Sequence, residues 1–343
     1  MQREELNFER PQELQATAPA ELRGLARDEV RLMVSSPGGH THTRFMHLAQ
    51  YLGAGDLLVV NRSATLPASL PAVAALGGFR LNLSTDYGRG LWLAEPRWDF
   101  DRPGPLPLEV GETIAVAGSP ATVLGAYPGL PRLRFVQLGE GARRLLHRWG
   151  EPIRYGYVRD PYPLSAYQTI FARVPGSAEM PSAGRPFTKR VLQSLKRQGV
   201  QITSLLLHTG VSSLEVETSR LEEHPMYAEP FAVPEAAAEA VNRARKEGRR
   251  VIAVGTTVVR ALESAWDGCA VRPARGFTRT FIHPDRGVAT VDGLISGFHD
   301  PLASHLAMLY AVAGQDLVRD AYAQAVAHGY LWHEFGDSHL ILR

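Results

Sequence analysis

The sequence predicts an α/β fold: a mixed, largely parallel sheet with helices, interrupted by an inserted small antiparallel β-barrel. Three observations carry this. Apolar strand-like runs alternate with helical periods from about residue 164 onward, the pattern of a layered α/β domain. Residues 62–152 instead hold short β-prone runs between Gly and Pro punctuation, which suits a small barrel or sandwich. The chain is 343 residues long and 45% hydrophobic, enough to bury a core without disulfide or metal. Residues 1–61 and 153–343 are therefore read as the α/β domain, and residues 62–152 as the inserted barrel.

The elements follow in order. RLMVSS (31–36) is strand-like. A loop rich in Gly and His comes next, then a helical FMHLAQYL (45–52). GDLLVVN (55–61) is a turn entering a buried strand, because four apolar residues follow a Gly-Asp signal. The insert reads as strands in GFRLNLST, GLWLAE, ETIAVAG, ATVLGAY and LRFVQL, then a helix at 141–149. Residues 152–163 form a turn-rich link. TKRVLQSLKRQG is an amphipathic helix ending at Gly199, followed by the strand VQITSLLLH. Residues 234–248 open with Pro and close with Arg and Gly, as helices do. RRVIAVG (249–255) is a buried strand and TTVVRALESA starts the next helix. DPLASHLAMLYAVAG and LVRDAYAQAVAHG are helices, and HLILR closes the chain as a strand.

Composition excludes several classes. A single cysteine, Cys269, rules out a disulfide scaffold and multi-cysteine zinc sites. No apolar run reaches about 18 residues, so no transmembrane helix is expected. The polar start MQREELNFERPQEL is not a signal peptide, and the expected compartment is the cytoplasm. Dinucleotide, P-loop and serine-hydrolase motifs are absent. No metal is expected: His40 and His42 lie in GGHTHT without a third ligand of recognisable spacing.

The formal net charge is only +2. Lysine stands at 189, 196 and 246 alone, so arginine carries nearly all positive charge, and it is clustered. Residues 130–160 hold seven arginines against three acids, interleaved with Tyr155, Tyr157 and Tyr162. Residues 243–250 hold five basic residues against Glu247. Such segments suit phosphate contacts, and the tyrosines suit stacking on single-stranded bases. The second cluster also complements a helix C-terminus.

The strongest local signal is RVIAVGTTVVRALES (250–264). A buried strand runs into Gly255-Thr256-Thr257 and a helix, whose free N–H groups favour an anion. Either threonine is a candidate N-cap, and Arg260 lies one turn in. His208 ends an apolar strand. His299 precedes a helix. His224 and Glu229 lie in EEHPMYAE.

These residues resemble the S-adenosylmethionine:tRNA ribosyltransferase-isomerase family of queuosine biosynthesis. The resemblance runs through GDLLVVN (55–61), AYQTIFARVPGSAEMPSAG (166–184), GVQITSLLLHTG (199–210), RVIAVGTTVVRALES, TFIHP (280–284), VDGLISGFHDP (291–301) and FGDSHLI (335–341). It implies S-adenosylmethionine as substrate and tRNA as partner. The ribosyl group passes to an aminomethyl-deazaguanine at the wobble position, giving epoxyqueuosine-tRNA, while adenine and methionine leave. By that resemblance His208, His299 and Glu229 are the proton-transfer candidates. Gly255, Thr256, Thr257 and Arg260 are candidates for the methionine carboxylate. Tyr167, Gln168 and Phe171 are candidates to line the adenine or base site, and Asp337 to orient a hydroxyl. A monomer without membrane attachment is expected. The chain departs from the family pattern at Arg62, Ala64, Ser69, Pro186, Tyr227 and Gly297, and in LHTGVSSL (207–214). These changes leave open a diverged paralog acting on another nucleoside or RNA, and an RNA- or nucleotide-binding protein without turnover.

Overall fold

A computed structural model describes residues 1–98, 106–139, 141–211, 216 and 218–343. Residues 212–214 of LHTGVSSL lie outside the described residues. The chain opens with short 3-10 segments, then strands β1 (Arg31–Ser36) and β2 (Gly39–Arg44). A 3-10 segment (Phe45–Tyr51) leads to β3 (Leu57–Asn61) and β4 (Ser63–Thr65). Six strands follow: β5 (Ser69–Ala74), β6 (Gly77–Gly88), β7 (Leu91–Arg97), β8 (Thr113–Val116), β9 (Ser119–Tyr127) and β10 (Leu130–Gln137). Helix α1 (Ala142–Trp149) ends this part. The chain returns through β11 (Val174–Ser177), α2 (Lys189–Arg197), β12 (Gln201–Leu207), β13 (Glu229–Val233) and α3 (Glu235–Lys246). It then forms β14 (Val251–Val254), α4 (Thr256–Ser264), β15 (Ala274–Thr278) and β16 (Gly293–Gly297). Helices α5 (Ser304–Ala313) and α6 (Gln315–Ala327) precede the last strand, β17 (Ser338–Leu342).

The main sheet has the order β15-β13-β12-β3-β14-β16-β17-β1-β2. Its centre, β12-β3-β14-β16, is parallel. β17 pairs parallel with β1 but antiparallel with β16, and the two flanks are antiparallel. The sheet is thus evenly mixed, less parallel than the sequence suggests. Side chains alternate across it. Leu57, Val59, Val251 and Ala253 face a core under α3, α4, α5 and α6. Leu58, Val60, Ile252 and Val254 face a second core under α2 and the 3-10 segment. Burial on both faces explains why β3 and β14 are unbroken apolar runs.

The inserted strands close a barrel in the order β10-β7-β6-β5-β8-β9. Leu70, Leu81, Trp92, Ile114, Val123 and Val136 fill it, and Ala142 and Leu146 of α1 join that core. β4 and β11, on either side of the insert, pair in parallel. Tyr227 packs with Leu93, Tyr127, Leu130 and Leu133 of the barrel and so ties the two parts together.

Three local readings are corrected. The Gly/His stretch is strand β2, not a loop; it is an edge strand with largely exposed side chains, so no apolar alternation marks it. Residues 45–51 form a 3-10 segment rather than an α-helix. β13, β15 and β16 escape the sequence pattern because Pro230 and the glycines at 276, 293 and 297 interrupt their apolar character.

Candidate active site

The carboxyl ends of the four central strands point to one edge of the sheet. Asn61 ends β3, His208 and Thr209 follow β12, Gly255 follows β14, and Phe298 and His299 follow β16. α/β ligands bind at such an edge. Here lies a cavity of about 210 Å³. Its wall includes Gly255, Thr256 and Thr257, the 296–300 turn, and Ala178 to Ala183. Ile153, Tyr155 and Tyr157 enter it from the link that leaves the barrel, and His333 and Glu334 from the loop before β17.

Gly255 sits at φ +96° and itself caps α4. Neither threonine side chain caps the helix, contrary to the reading that either would serve. Thr257 Oγ1 instead accepts from Asn61 Nδ2 at 3.2 Å. The N–H groups of Thr256 and Thr257 have no helical acceptor, as expected for a first turn.

Aromatic rings line one side. Tyr157 stacks on His333 with centroids 4.0 Å apart, and on Tyr155 at 6.0 Å. The Tyr157 hydroxyl donates to Glu334 Oε2 at 2.5 Å, and the Tyr155 hydroxyl donates to Glu179. Burial raises the Glu334 carboxyl above its ordinary value and the Tyr157 phenol well above its own. The Tyr167 hydroxyl is buried and has no hydrogen-bond partner among the described residues. Three imidazoles complete the wall. Burial pushes His299 well below the ordinary histidine value, His305 to about 4 and His333 to about 3. All three are neutral at pH 7. His299 Nε2 lies 2.7 Å from Ser296 Oγ, and its ring stacks on His305.

The cavity thus gathers Gly255, Thr256, Thr257, Tyr167 and His299 from the sequence candidates. The others lie elsewhere. Arg260 does not line the cavity. It forms a buried ion pair with Glu229, and its Nε donates to Thr280 O at 3.0 Å. Glu229 also accepts from the Gly210 N–H at 2.7 Å. Arg260 and Glu229 border a separate small space behind His305. His208 is tied to Ser63 Oγ at 2.7 Å, outside the lining, and burial lowers its pKa. Asp337 accepts from the Arg31 and Leu331 backbone N–H groups, each at 2.8 Å, and pairs with the Arg31 guanidinium. Gln168 hydrogen-bonds the Thr65 backbone and Phe171 packs on Phe187. Glu179, His305, His333 and Glu334 are cavity residues the sequence reading misses. Each needs chain segments far apart to meet, and no local spacing marks them.

The departures from the family pattern also have places. Pro186 and Gly297 border a small space shared with His333, Glu334 and Asp337. Ser69 receives the Arg80 guanidinium at its hydroxyl and its carbonyl. Away from the cavity, Glu222, His283 and Asp285 bring ligand-type atoms within 4.8 Å. The Met1 ammonium donates to Glu222 at 2.7 Å and to Asp285 at 3.3 Å.

The profile of the family described as queuosine biosynthesis protein matches residues 3–341. An S-adenosylmethionine:tRNA ribosyltransferase-isomerase of Rubrobacter xylanophilus is 40% identical over 348 residues, covering 100% of this chain and 98% of that protein. One from Thermus thermophilus is 39% identical over 331 residues, covering 92% and 93%. A crystal structure of S-adenosylmethionine tRNA ribosyltransferase from Thermotoga maritima superposes with a TM-score of 0.55 at 28% identity, covering 98% of this chain and all of that one.

Proposed function

The chain belongs to the queuosine biosynthesis protein family, and from that premise we propose that its strand-end cavity is where the ribosyl group of S-adenosylmethionine is passed to tRNA. The protein is a tRNA-modifying enzyme, an S-adenosylmethionine:tRNA ribosyltransferase-isomerase. The finer reading is that the acceptor is an aminomethyl-deazaguanine at the wobble position.

The observation that carries the site assignment is the match between this wall and such a ligand. The lining holds Glu179, Asp300 and Glu334 but no Arg or Lys among the described residues. That suits a cationic sulfonium and a cationic aminomethyl arm. Tyr155, Tyr157 and Tyr167 offer flat faces to a purine. The unpartnered Tyr167 hydroxyl suits a ribose or base acceptor. The free N–H groups of Thr256 and Thr257 suit the methionine carboxylate. This replaces the role first given to Arg260, whose charge is neutralised by Glu229.

When bound, S-adenosylmethionine supplies a sulfonium that acidifies the neighbouring ribose carbon. Among the three proton-transfer candidates, His299 alone lines the cavity, so the proton-transfer role falls to it. Its neutral ring is an acceptor at pH 7, and Ser296 fixes its orientation. Glu334, whose carboxyl burial raises above its ordinary value, lines the same cavity and accepts from the Tyr157 hydroxyl.

The test is adenine release. The enzyme is incubated with S-adenosylmethionine and tRNA bearing the aminomethyl-deazaguanine, and free adenine is followed chromatographically. Release that depends on that tRNA is the expected result. Retained binding of either ligand without release contradicts the reading.

A further inference from the structure

We propose that the solvent face of α1, carrying Arg144, Arg148 and Trp149, grips the tRNA backbone beside the cavity. This rests on the functional reading above. The cavity wall has three carboxylates and no cation among the described residues. A polyanion must therefore draw its attraction from outside the cavity.

Two basic segments compete for that role, and the structure separates them. In residues 243–250, Arg249 pairs with Glu247 at 2.7 Å and Arg250 pairs with Asp56. Arg245 donates to Ala289 O and lies 4.8 Å from the Trp266 ring centroid. Arg243 and Lys246 are exposed and without an ion pair or hydrogen bond among the described residues, so for them position decides. The segment also enters β14 at its amino end, while the cavity lies at its carboxyl end. In residues 130–160, Arg132 is paired with Glu95, and Arg143 with Asp86 at 2.9 Å. Arg134 donates to Pro131 O and Arg154 to Arg159 O. Arg159 is exposed in the link, and on α1 Arg144 and Arg148 remain, exposed and without an ion pair or hydrogen bond among the described residues.

Helix geometry explains their availability. Ala142 and Leu146 turn into the barrel core. Arg144 and Arg148, four residues apart, share the outward side. The Arg148 guanidinium lies 5.3 Å from the Trp149 ring centroid, and Trp149 is 49% exposed. An exposed tryptophan beside two free arginines fits a phosphate run with an unstacked base. The distance is right as well. Glu151 pairs its backbone with Ser69, and Ile153 and Tyr155 already line the cavity. Ile153 is only four positions beyond Trp149, at most about 14 Å of chain.

The experiment uses the full-length protein and substrate tRNA, with binding measured by anisotropy from 50 to 250 mM KCl. Arg144→Ala/Arg148→Ala is expected to weaken tRNA binding roughly tenfold at low salt. The log–log salt slope becomes shallower by about 1.4–1.8, as for two lost phosphate contacts. Trp149→Ala weakens binding without changing the slope. S-adenosylmethionine affinity stays at the wild-type value in both. Arg243→Ala/Lys246→Ala, on the far edge, leaves tRNA affinity unchanged. Wild-type affinity and slope in the Arg144/Arg148 variant, while the parent enzyme still releases adenine, overturns the surface and spares the functional reading. An equal loss in the Arg243/Lys246 variant overturns it too, because the attraction is then diffuse. A parent enzyme that neither binds tRNA nor releases adenine overturns both.

Discussion

At the residue scale, the account turns on which polar groups are already satisfied. Arg260 and Glu229 are 31 positions apart and neutralise each other in the core. A buried pair of this kind stabilises only while both partners are present; beyond it, only the Arg260 Nη2 is without a hydrogen-bond partner among the described residues, and it lies outside the cavity. Tyr167 differs in place: its hydroxyl is buried in the cavity wall and unpartnered among the described residues. Tyr167→Phe therefore leaves stability unchanged or raises it by up to about 1 kcal/mol, since an unmet polar group is removed. The same change weakens S-adenosylmethionine binding by roughly 2- to 12-fold, the equivalent of one net hydrogen bond of about 0.5–1.5 kcal/mol. Calorimetry and urea unfolding read the two effects separately. A variant that loses stability but binds normally contradicts the assignment. The sequence exposes Tyr167, Thr256, Thr257 and His299 through their motifs. It does not show that Arg260 is engaged, because nothing local reveals Glu229 across the fold.

At the element scale, the turn from β14 into α4 positions the site. Gly255 lies at φ +96° and ψ 152°, a region essentially reserved for glycine. A Cβ there would also meet Ala183 Cβ at 3.4 Å. Gly255→Ala is expected to cost about 1–3 kcal/mol of stability, and to weaken cofactor binding by tilting the first N–H groups of α4. Chemical denaturation midpoints check the first effect; a wild-type midpoint contradicts it. Elements were legible where both faces are buried, as in β3 and β14, because burial forces continuous apolar runs. They were illegible where tertiary pairing overrides local character. β2 is GHTHTR, a polar edge held by β1, and β13 begins Glu229-Pro230 yet pairs on both sides. The link over residues 152–163 reads as mere turns, but its tyrosines furnish a cavity wall.

At the scale of the whole molecule, four neutral histidines set the acid response: His339 is buried, and His299, His305 and His333 line the cavity. Burial lowers His299, His305, His333 and His339, with His305 at about 4 and His333 and His339 at about 3. Unfolded, each takes a proton near pH 6.5. Below that pH the unfolded chain binds more protons than the folded one, so stability falls as pH drops toward the folded values. Each group contributes up to about 1.4 kcal/mol per pH unit in that window. Asp300 and Glu334, whose carboxyls are raised, oppose the trend at lower pH. Urea midpoints at pH 7.5, 6.5 and 5.5 are expected to fall chiefly over the last interval. A flat or rising series contradicts the burial of neutral imidazoles. The link that leaves the barrel adds Ile153, Tyr155 and Tyr157 to the cavity wall, and the sheet adds the strand ends, so the cavity belongs to the assembled molecule. The most direct measurement is difference electron density from a crystal grown with S-adenosylmethionine. The account predicts density in the strand-end cavity, with the methionine carboxylate at the Thr256 and Thr257 N–H groups and the purine against the tyrosines. Density beside Arg260 and Glu229, with that cavity empty, would contradict it.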